Sequence, residues 1–194
     1  LFFSMLLVLI FTDLLEETPE RPWGRTLPDS VTLGGALAGI ALSFLVPSGD
    51  GTARWLSDRL FAFPPPASAI NLADALLGAF VSGGALWLVG GLWTVAVTLL
   101  RLQRPTEGLG FGDVKMMLLI GAFLGIKRSF LTMFLGSLLG SIVGILFIRL
   151  ARKDYKTYRL PFGTFLGPAA MLVTFYGTAI LNWYQTLLRP GGTG

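Results

Sequence analysis

The chain has 194 residues, of which 53% are hydrophobic and 13% are charged, roughly half the charged fraction of an average soluble domain. It contains no histidine and no cysteine, which excludes Ser-His and Cys-His nucleophilic pairs and the usual nitrogen and sulfur ligands of zinc. Its net charge is +4, but the basic residues lie between apolar blocks, so nucleic-acid binding is not expected. The long apolar blocks predict an all-α polytopic membrane protein with about six transmembrane helices.

The first apolar run, Leu1–Phe11, is too short to cross a hydrocarbon core of ~30 Å as a helix. We interpret it as the end of a helix that starts before Leu1, and Asp13 closes it. A polar stretch containing Glu16, Glu17 and Glu20 follows. The motif Pro28-Asp29-Ser30 then opens a second span, Val31–Val46, and we expect Asp29 or Ser30 to cap its free N–H groups.

The segment Thr52–Ala69 has mixed polarity around Trp55, which predicts a short helix at the membrane interface. Four further spans are predicted at Leu72–Leu100, Val114–Ile126, Ser129–Leu150 and Phe162–Leu188, with a glycine-rich loop at Gly108–Gly112 and a tight turn at Lys127-Arg128. The loops after spans one, three and five carry more Arg and Lys than the others, which places them in the cytoplasm. Asp13 and Asp113 both lie at that cytoplasmic boundary.

Two acidic residues at membrane depth indicate a functional site, because charged groups are costly there. Asp13 closes the first span and Asp113 opens the fourth. Two carboxylates held close together do not ionise together, so one keeps a proton while the other acts as a base toward water. Gly110 and Gly112 carry no Cβ and tolerate positive φ, which would let an extended substrate lie beside Asp113. Without histidine or cysteine, hydrolysis would be carried by carboxylates or by a Ser-Lys pair, and the two aspartates favour carboxylates.

Three blocks of sequence resemble prepilin peptidases (type IV leader peptidases) in the order of that family. Glu107–Lys115 (EGLGFGDVK) resembles the family's GxGD segment, with Gly110, Gly112 and Asp113 on the motif positions. Thr12-Asp13 and the later Leu27–Leu33 (LPDSVTL) resemble the first aspartate and the helix start after it. Arg159–Gly163 (RLPFG) resembles the P-F-G-P segment, although Thr164 replaces the last proline.

The resemblance implies a GxGD-type intramembrane aspartyl protease of the bacterial inner membrane. Such an enzyme would remove basic leaders from the prepilin or pseudopilin precursors of type IV pili and type II secretion, at the cytoplasmic face. Its catalytic pair would be Asp13 and Asp113. The expected substrate-binding residues are Gly110, Phe111, Gly112, Glu107 and Lys115. Precursor peptides and membrane lipids are the expected partners, and no metal or organic cofactor is implied.

The chain departs from the family pattern at two insertions, Glu16–Arg25 and Pro47–Ala69. Because of the insertion Glu16–Arg25, Asp29 is an alternative to Asp13 as the first of the two catalytic aspartates. No cysteine cluster supports methyltransferase activity. We expect one peptidase domain over residues 1–188, preceded in the full protein by an N-terminal part, and a tail over 189–194. The rival functions are a transporter or channel that uses its intramembrane acids, and a structural subunit of a secretion machine.

Overall fold

The computed structural model describes residues 1–14, 28–46, 50–60, 65–100, 110–151 and 162–188. All regular secondary structure in these ranges is helical, which confirms the predicted all-α class. In chain order the helices are α1 (Phe2–Leu14), α2 (Asp29–Ser43), α3 (Thr52–Leu60), α4 (Ala67–Leu99), α5 (Phe111–Ala151) and α6 (Gly163–Leu188).

By length and composition alone, three stretches of helix can cross a membrane, namely Ala67–Leu99, Phe111–Leu146 and Gly163–Leu188, although the second contains the break at Gly125. Phe2–Thr12 and Asp29–Ser43 are shorter apolar helices. The six helices seen in the described ranges are therefore not the six predicted spans. Helix α3 comes from the segment that was predicted to lie at the interface, whereas the predicted fourth and fifth spans are joined in α5.

Helix α5 is broken at Gly125, where φ is 77° and ψ is −178°. The two sides of the break meet the same place on α6, because Gly136 packs against Leu166 while Met116 packs against the neighbouring Gly167. In a straight helix, residues 116 and 136 would lie about 30 Å apart. The chain therefore reverses at Gly125, two residues before the predicted turn at Lys127-Arg128. Glycine adopts this positive φ without the steric cost that a side chain would add.

The first segment of α5, residues 111–124, is the centre of the bundle. Its most buried side chains, all 3% exposed or less, are Met116, Met117, Leu119, Ile120, Ala122 and Leu124. Helix α4 runs antiparallel to this segment, since Gly78 contacts Gly121 and Gly83 contacts Leu118. At Gly78 and Gly121 the two backbones touch, and a Cβ on either residue would collide with the other helix.

Helices α1 and α2 pack on the first segment of α5 in opposite directions. Gly35 of α2 lies against Leu119, and Gly39 lies against Phe123, so α2 runs parallel to the segment. Met5 of α1 also reaches Gly35, beside Leu119. Further along α1, Ile10 meets Met116 at Gly167 of α6. Residue numbers along α1 rise from Met5 to Ile10 while those of their neighbours in α5 fall from Leu119 to Met116, so the two helices are antiparallel.

Candidate active site

Asp113 lies in the first turn of α5 and is half-buried. Its backbone N–H donates to the carbonyl of Gly110 at 3.0 Å, and a carboxylate near a helix N-terminus is favoured by the helix dipole. Met116 and Met117 follow three and four residues later, are 0% and 1% exposed, and share the face of Asp113. That face meets α1 and α6 through Met116 at Gly167. Asp113 is therefore on the inward side of its helix.

Asp13 lies in the last turn of α1, and its side chain is outside the described part of the structure. The register of α1 places its backbone, because Ile10 and Met116 meet at one point on α6. Asp13 comes three residues after Ile10, and Asp113 comes three residues before Met116. At about 1.5 Å per residue in antiparallel helices, both aspartates lie about 4.5 Å beyond that point in the same direction. The two predicted catalytic positions are thus at one end of the bundle.

Asp29 and Lys115 form an ion pair at this same end. Lys115 Nζ lies 2.5 Å from Asp29 Oδ1 and 5.1 Å from the centre of the Phe111 ring. The expectation that Asp29 caps α2 is wrong, because the N–H groups of Val31 and Thr32 donate to the carbonyl of Pro28. Asp29 is instead the first residue of α2, and its carboxylate joins α2 to α5.

The other predicted substrate-binding residues lie in or before the first turn of α5. Gly110 and Phe111 are exposed and Gly112 is half-buried, whereas Glu107 lies outside the described residues. A Cβ on Gly110 would find its nearest neighbour at Asp113 Oδ2, 3.6 Å away, so the protein itself leaves room there. Gly112 is inside helix α5. Positive φ among the described glycines occurs at Gly51 and Gly125, so neither Gly110 nor Gly112 forms a positive-φ turn.

A groove of about 250 Å³ opens between α4 and the first turn of α5. It is lined by Leu86, Trp87, Gly90, Gly91, Thr94, Phe111 and Val114. Sequence analysis did not identify this groove, because the apolar pattern of α4 does not show which of its faces meets α5. The groove is lined by Phe111 and Val114, on either side of Gly112-Asp113 in the sequence, but it opens on the α4 side of α5, whereas Asp113 is on the side that meets α1 and α6.

The opposite end of the bundle holds two acids that sequence analysis did not single out. Asp74 of α4 is 5% exposed and accepts the N–H groups of Gly51 at 3.0 Å and Ala53 at 2.6 Å. Asp50 accepts the Thr52 hydroxyl at 2.6 Å and the Lys127 N–H at 2.5 Å. Both carboxylates hold the starts of helical segments. Within the described ranges, no three acidic side chains converge as a metal site would require.

The fold and the placement of its acids define a helical protein of membrane-spanning type, with carboxylates from separate helices at one end. The chain belongs to the type IV leader peptidase family, whose profile matches residues 1–145. This confirms the resemblance found in the sequence. No solved structure matches the chain.

Several curated relatives are named prepilin leader peptidase/N-methyltransferase. The protein from Aeromonas hydrophila is 32% identical over 117 residues, which cover 60% of this chain and 38% of the relative. The protein from Pseudomonas putida is 30% identical over 164 residues, which cover 84% of this chain and 47% of the relative. The protein from Legionella pneumophila is 27% identical over 180 residues, which cover 93% of this chain and 50% of the relative. The chain spans half or less of the length of each of these relatives.

Proposed function

We propose that this chain is the membrane-embedded core of an aspartic endopeptidase. It removes the basic leader from prepilin or pseudopilin precursors at the cytoplasmic face of the bacterial inner membrane. The observation that carries this proposal is the antiparallel register of α1 and the first segment of α5, with Ile10 and Met116 meeting at Gly167. That register supports a shared site for Asp13 and Asp113. Membership of the leader peptidase family supports the class of substrate.

In the proposed reaction, a water molecule lies between the carboxyl groups of Asp13 and Asp113. The ionised carboxylate takes a proton from this water, and the water oxygen attacks the scissile carbonyl carbon. The protonated carboxyl donates its proton to the carbonyl oxygen, which gives a gem-diol. When the C–N bond breaks, the carboxyl that took the water's proton gives it to the amine nitrogen, and the gem-diol returns a proton to the other carboxylate. The chain has no histidine and no cysteine, which leaves carboxylates or a Ser-Lys pair, and in this proposal the two aspartates perform both the acid and the base step.

The substrate is proposed to enter as an extended chain beside Gly110, Phe111 and Gly112. The exposure of Gly110 and Phe111 supports this path. Glu107 remains a proposed substrate contact. For Lys115, substrate contact is the alternative to a structural role, because its ammonium already pairs with Asp29. Asp29 is the alternative to Asp13, and its ion pair with Lys115 gives it a structural role, which favours Asp13 as the catalytic partner of Asp113.

The orientation in the membrane rests on the basic loops. Three loops on the proposed cytoplasmic side contain the pairs Arg21 and Arg25, Arg101 and Arg104, and the run Arg149–Arg159, as the positive-inside rule requires. Except for the start of the last run, these residues lie outside the described ranges. The proposed site is at the end of the bundle where these loops connect the helices.

The test is cleavage of a basic-leader precursor by the purified full-length protein in lipid nanodiscs. Wild type should release the leader, and Asp13→Asn and Asp113→Asn should not. Asp58→Asn is the matched control, since Asp58 is an exposed acid on α3, which is held at the opposite end of the bundle. A protein in which Asp13→Asn is active and Asp29→Asn is inactive would assign the first catalytic role to Asp29. A wild type without cleavage would favour the transporter or the structural subunit.

A further inference from the structure

The ion pair between Lys115 and Asp29 joins two helix starts that are 86 positions apart in the sequence. Its two partners differ in burial, because the Lys115 side chain is 18% exposed and the Asp29 side chain is 61% exposed. Most of the Lys115 side chain is therefore covered by protein, while the contact of its ammonium with the Asp29 carboxylate is exposed. A lysine stem that packs on the protein with its charged end outside is a common arrangement.

The position of Lys115 on α5 determines what the ion pair holds in place. Phe111 and Lys115 are four residues apart and share one face of the first turn, where the ring and the ammonium are 5.1 Å apart. Asp113 lies between them in sequence, about 200° around the helix from each. A contact on the Phe111–Lys115 face therefore fixes the rotation of the first turn, and with it the direction of the Asp113 carboxyl.

The deeper contacts between α2 and α5 do not reach this turn. Gly35 packs on Leu119 and Gly39 packs on Phe123, which lie four and eight residues further along α5 than Lys115. These contacts set the distance and the register of the two helices. The ion pair connects the first residue of α2 with the turn that carries Asp113.

We infer that the Lys115–Asp29 ion pair is a positioning device that fixes the rotation of the first turn of α5 and so directs Asp113 into the site. This inference rests on the proposed function for its catalytic consequence. Its mechanical part, the fixed rotation, concerns the fold alone. Catalytic groups must be held within about 0.5 Å and 10–20° of their productive geometry, and a misplacement of about 1 Å can reduce the rate about 100-fold.

The first experiment compares kcat and KM for Lys115→Met, Lys115→Arg and Asp29→Asn. Lys115→Met and Asp29→Asn should each lower kcat about 10- to 100-fold and change KM less than about threefold. Lys115→Arg keeps a cation in reach of Asp29 and should lose less of kcat than Lys115→Met does. The double variant should be no worse than the poorer single variant, because both changes remove the same interaction.

Lys127→Met is the matched control, since it is the same substitution on an exposed side chain at the opposite end of the bundle. It should behave as wild type. A rise in KM with unchanged kcat in Lys115→Met would assign Lys115 to substrate binding and overturn the inference. So would additive losses in the double variant, or a Lys115→Met protein with wild-type kcat.

The second experiment needs no catalysis. The chain has no cysteine, so spin labels can be attached to Gly110→Cys and Leu37→Cys, which replace two exposed residues near the first turn of α5 and on α2. Lys115→Met should broaden the distance distribution between the labels, whereas Lys115→Arg and Lys127→Met should leave it unchanged. An unchanged distribution in Lys115→Met would overturn the positioning role. Broadening in Lys115→Met, together with an unlabelled wild type that cleaves no precursor, would confirm the positioning role and refute the proposed function.

Discussion

The two ends of the bundle use carboxylates in different ways. At one end, Asp74 is 5% exposed and both of its oxygens accept backbone N–H groups. At the other end, Asp113 is half-buried in the first turn of α5, and Asp29 is exposed and paired with a lysine side chain. Backbone donors are fixed in place, so an acid that they saturate acts as a structural support. An acid that takes part in proton transfer has to remain accessible to water and substrate.

The largest expected effect separates these two kinds of acid directly. Asp113→Asn should lower kcat about 10²- to 10⁴-fold, the usual contribution of a general acid or base, with little change in thermal stability. Asp74→Asn should do the opposite, because an amide has one acceptor oxygen for two N–H donors. That loss should cost about 1–3 kcal/mol of stability, while the folded fraction keeps its turnover.

The paired measurement is the thermal unfolding midpoint in nanodiscs together with kcat per folded protein. If Asp74→Asn lost turnover with unchanged stability, Asp74 would be the catalytic acid. The proposed difference between a structural Asp74 and a catalytic Asp113 would then be refuted.

A second contrast uses glycines at the two ends. At Gly125, φ is +77° and a Cβ would lie 2.8 Å from the Asp50 nitrogen, so Gly125→Ala should destabilise the protein by at least about 1–2 kcal/mol. Gly84→Ala is the control, since a Cβ there meets nothing within 4 Å and alanine favours a helix. Its unfolding midpoint should stay equal or rise. Equal losses of stability in Gly125→Ala and Gly84→Ala would mean that the break in α5 does not require a positive φ at residue 125.

The corresponding change at the candidate active site is Gly112→Val. Gly112 lies within helix α5, so the expected defect is steric, through blocked approach of substrate. We expect kcat/KM to fall about tenfold or more, which a misplacement of the substrate by less than 1 Å would produce. Leu109→Val should have a mild effect on the same assay. Similar losses of kcat/KM in Gly112→Val and Leu109→Val would show that the substrate does not approach Gly112 closely.

The smallest expected effect concerns the acidic insertion after α1. Changing Glu16, Glu17 and Glu20 together to glutamine should lower kcat/KM for a basic-leader substrate about 2- to 5-fold at low salt, through slower encounter. The effect should vanish at high salt, where charges are screened beyond a few ångströms. Equal kcat/KM values for mutant and wild type at low salt would refute a capture role for the insertion.

Sequence analysis predicted the fold class, the family and the helix start near Asp29, since these depend on composition and local motifs. It placed Phe111 and Gly112 in a loop, whereas α5 begins at Phe111. It missed the role of Asp74, because one acid in an apolar helix gives no sign of which N–H groups lie beside it. It placed the tight turn at Lys127-Arg128, because charged residues commonly end a span, whereas Gly125 forms the turn through its backbone. The ion pair of Lys115 with Asp29 depends on the register between α2 and α5, which no local pattern encodes.

The reversal at Gly125 gives the first segment of α5 a length that does not match a lipid bilayer. Asp113 lies 12 residues before Gly125, which is about 18 Å along a helix, whereas the hydrocarbon core is ~30 Å thick. If the polar turn with Asp50 and Lys127 lies at one surface, Asp113 lies about 12 Å below the other. Hydrophobic mismatch of this kind thins the surrounding lipid or admits a water-filled depression. The acyl-chain length of the host membrane would then control how well the Asp113 carboxyl is hydrated.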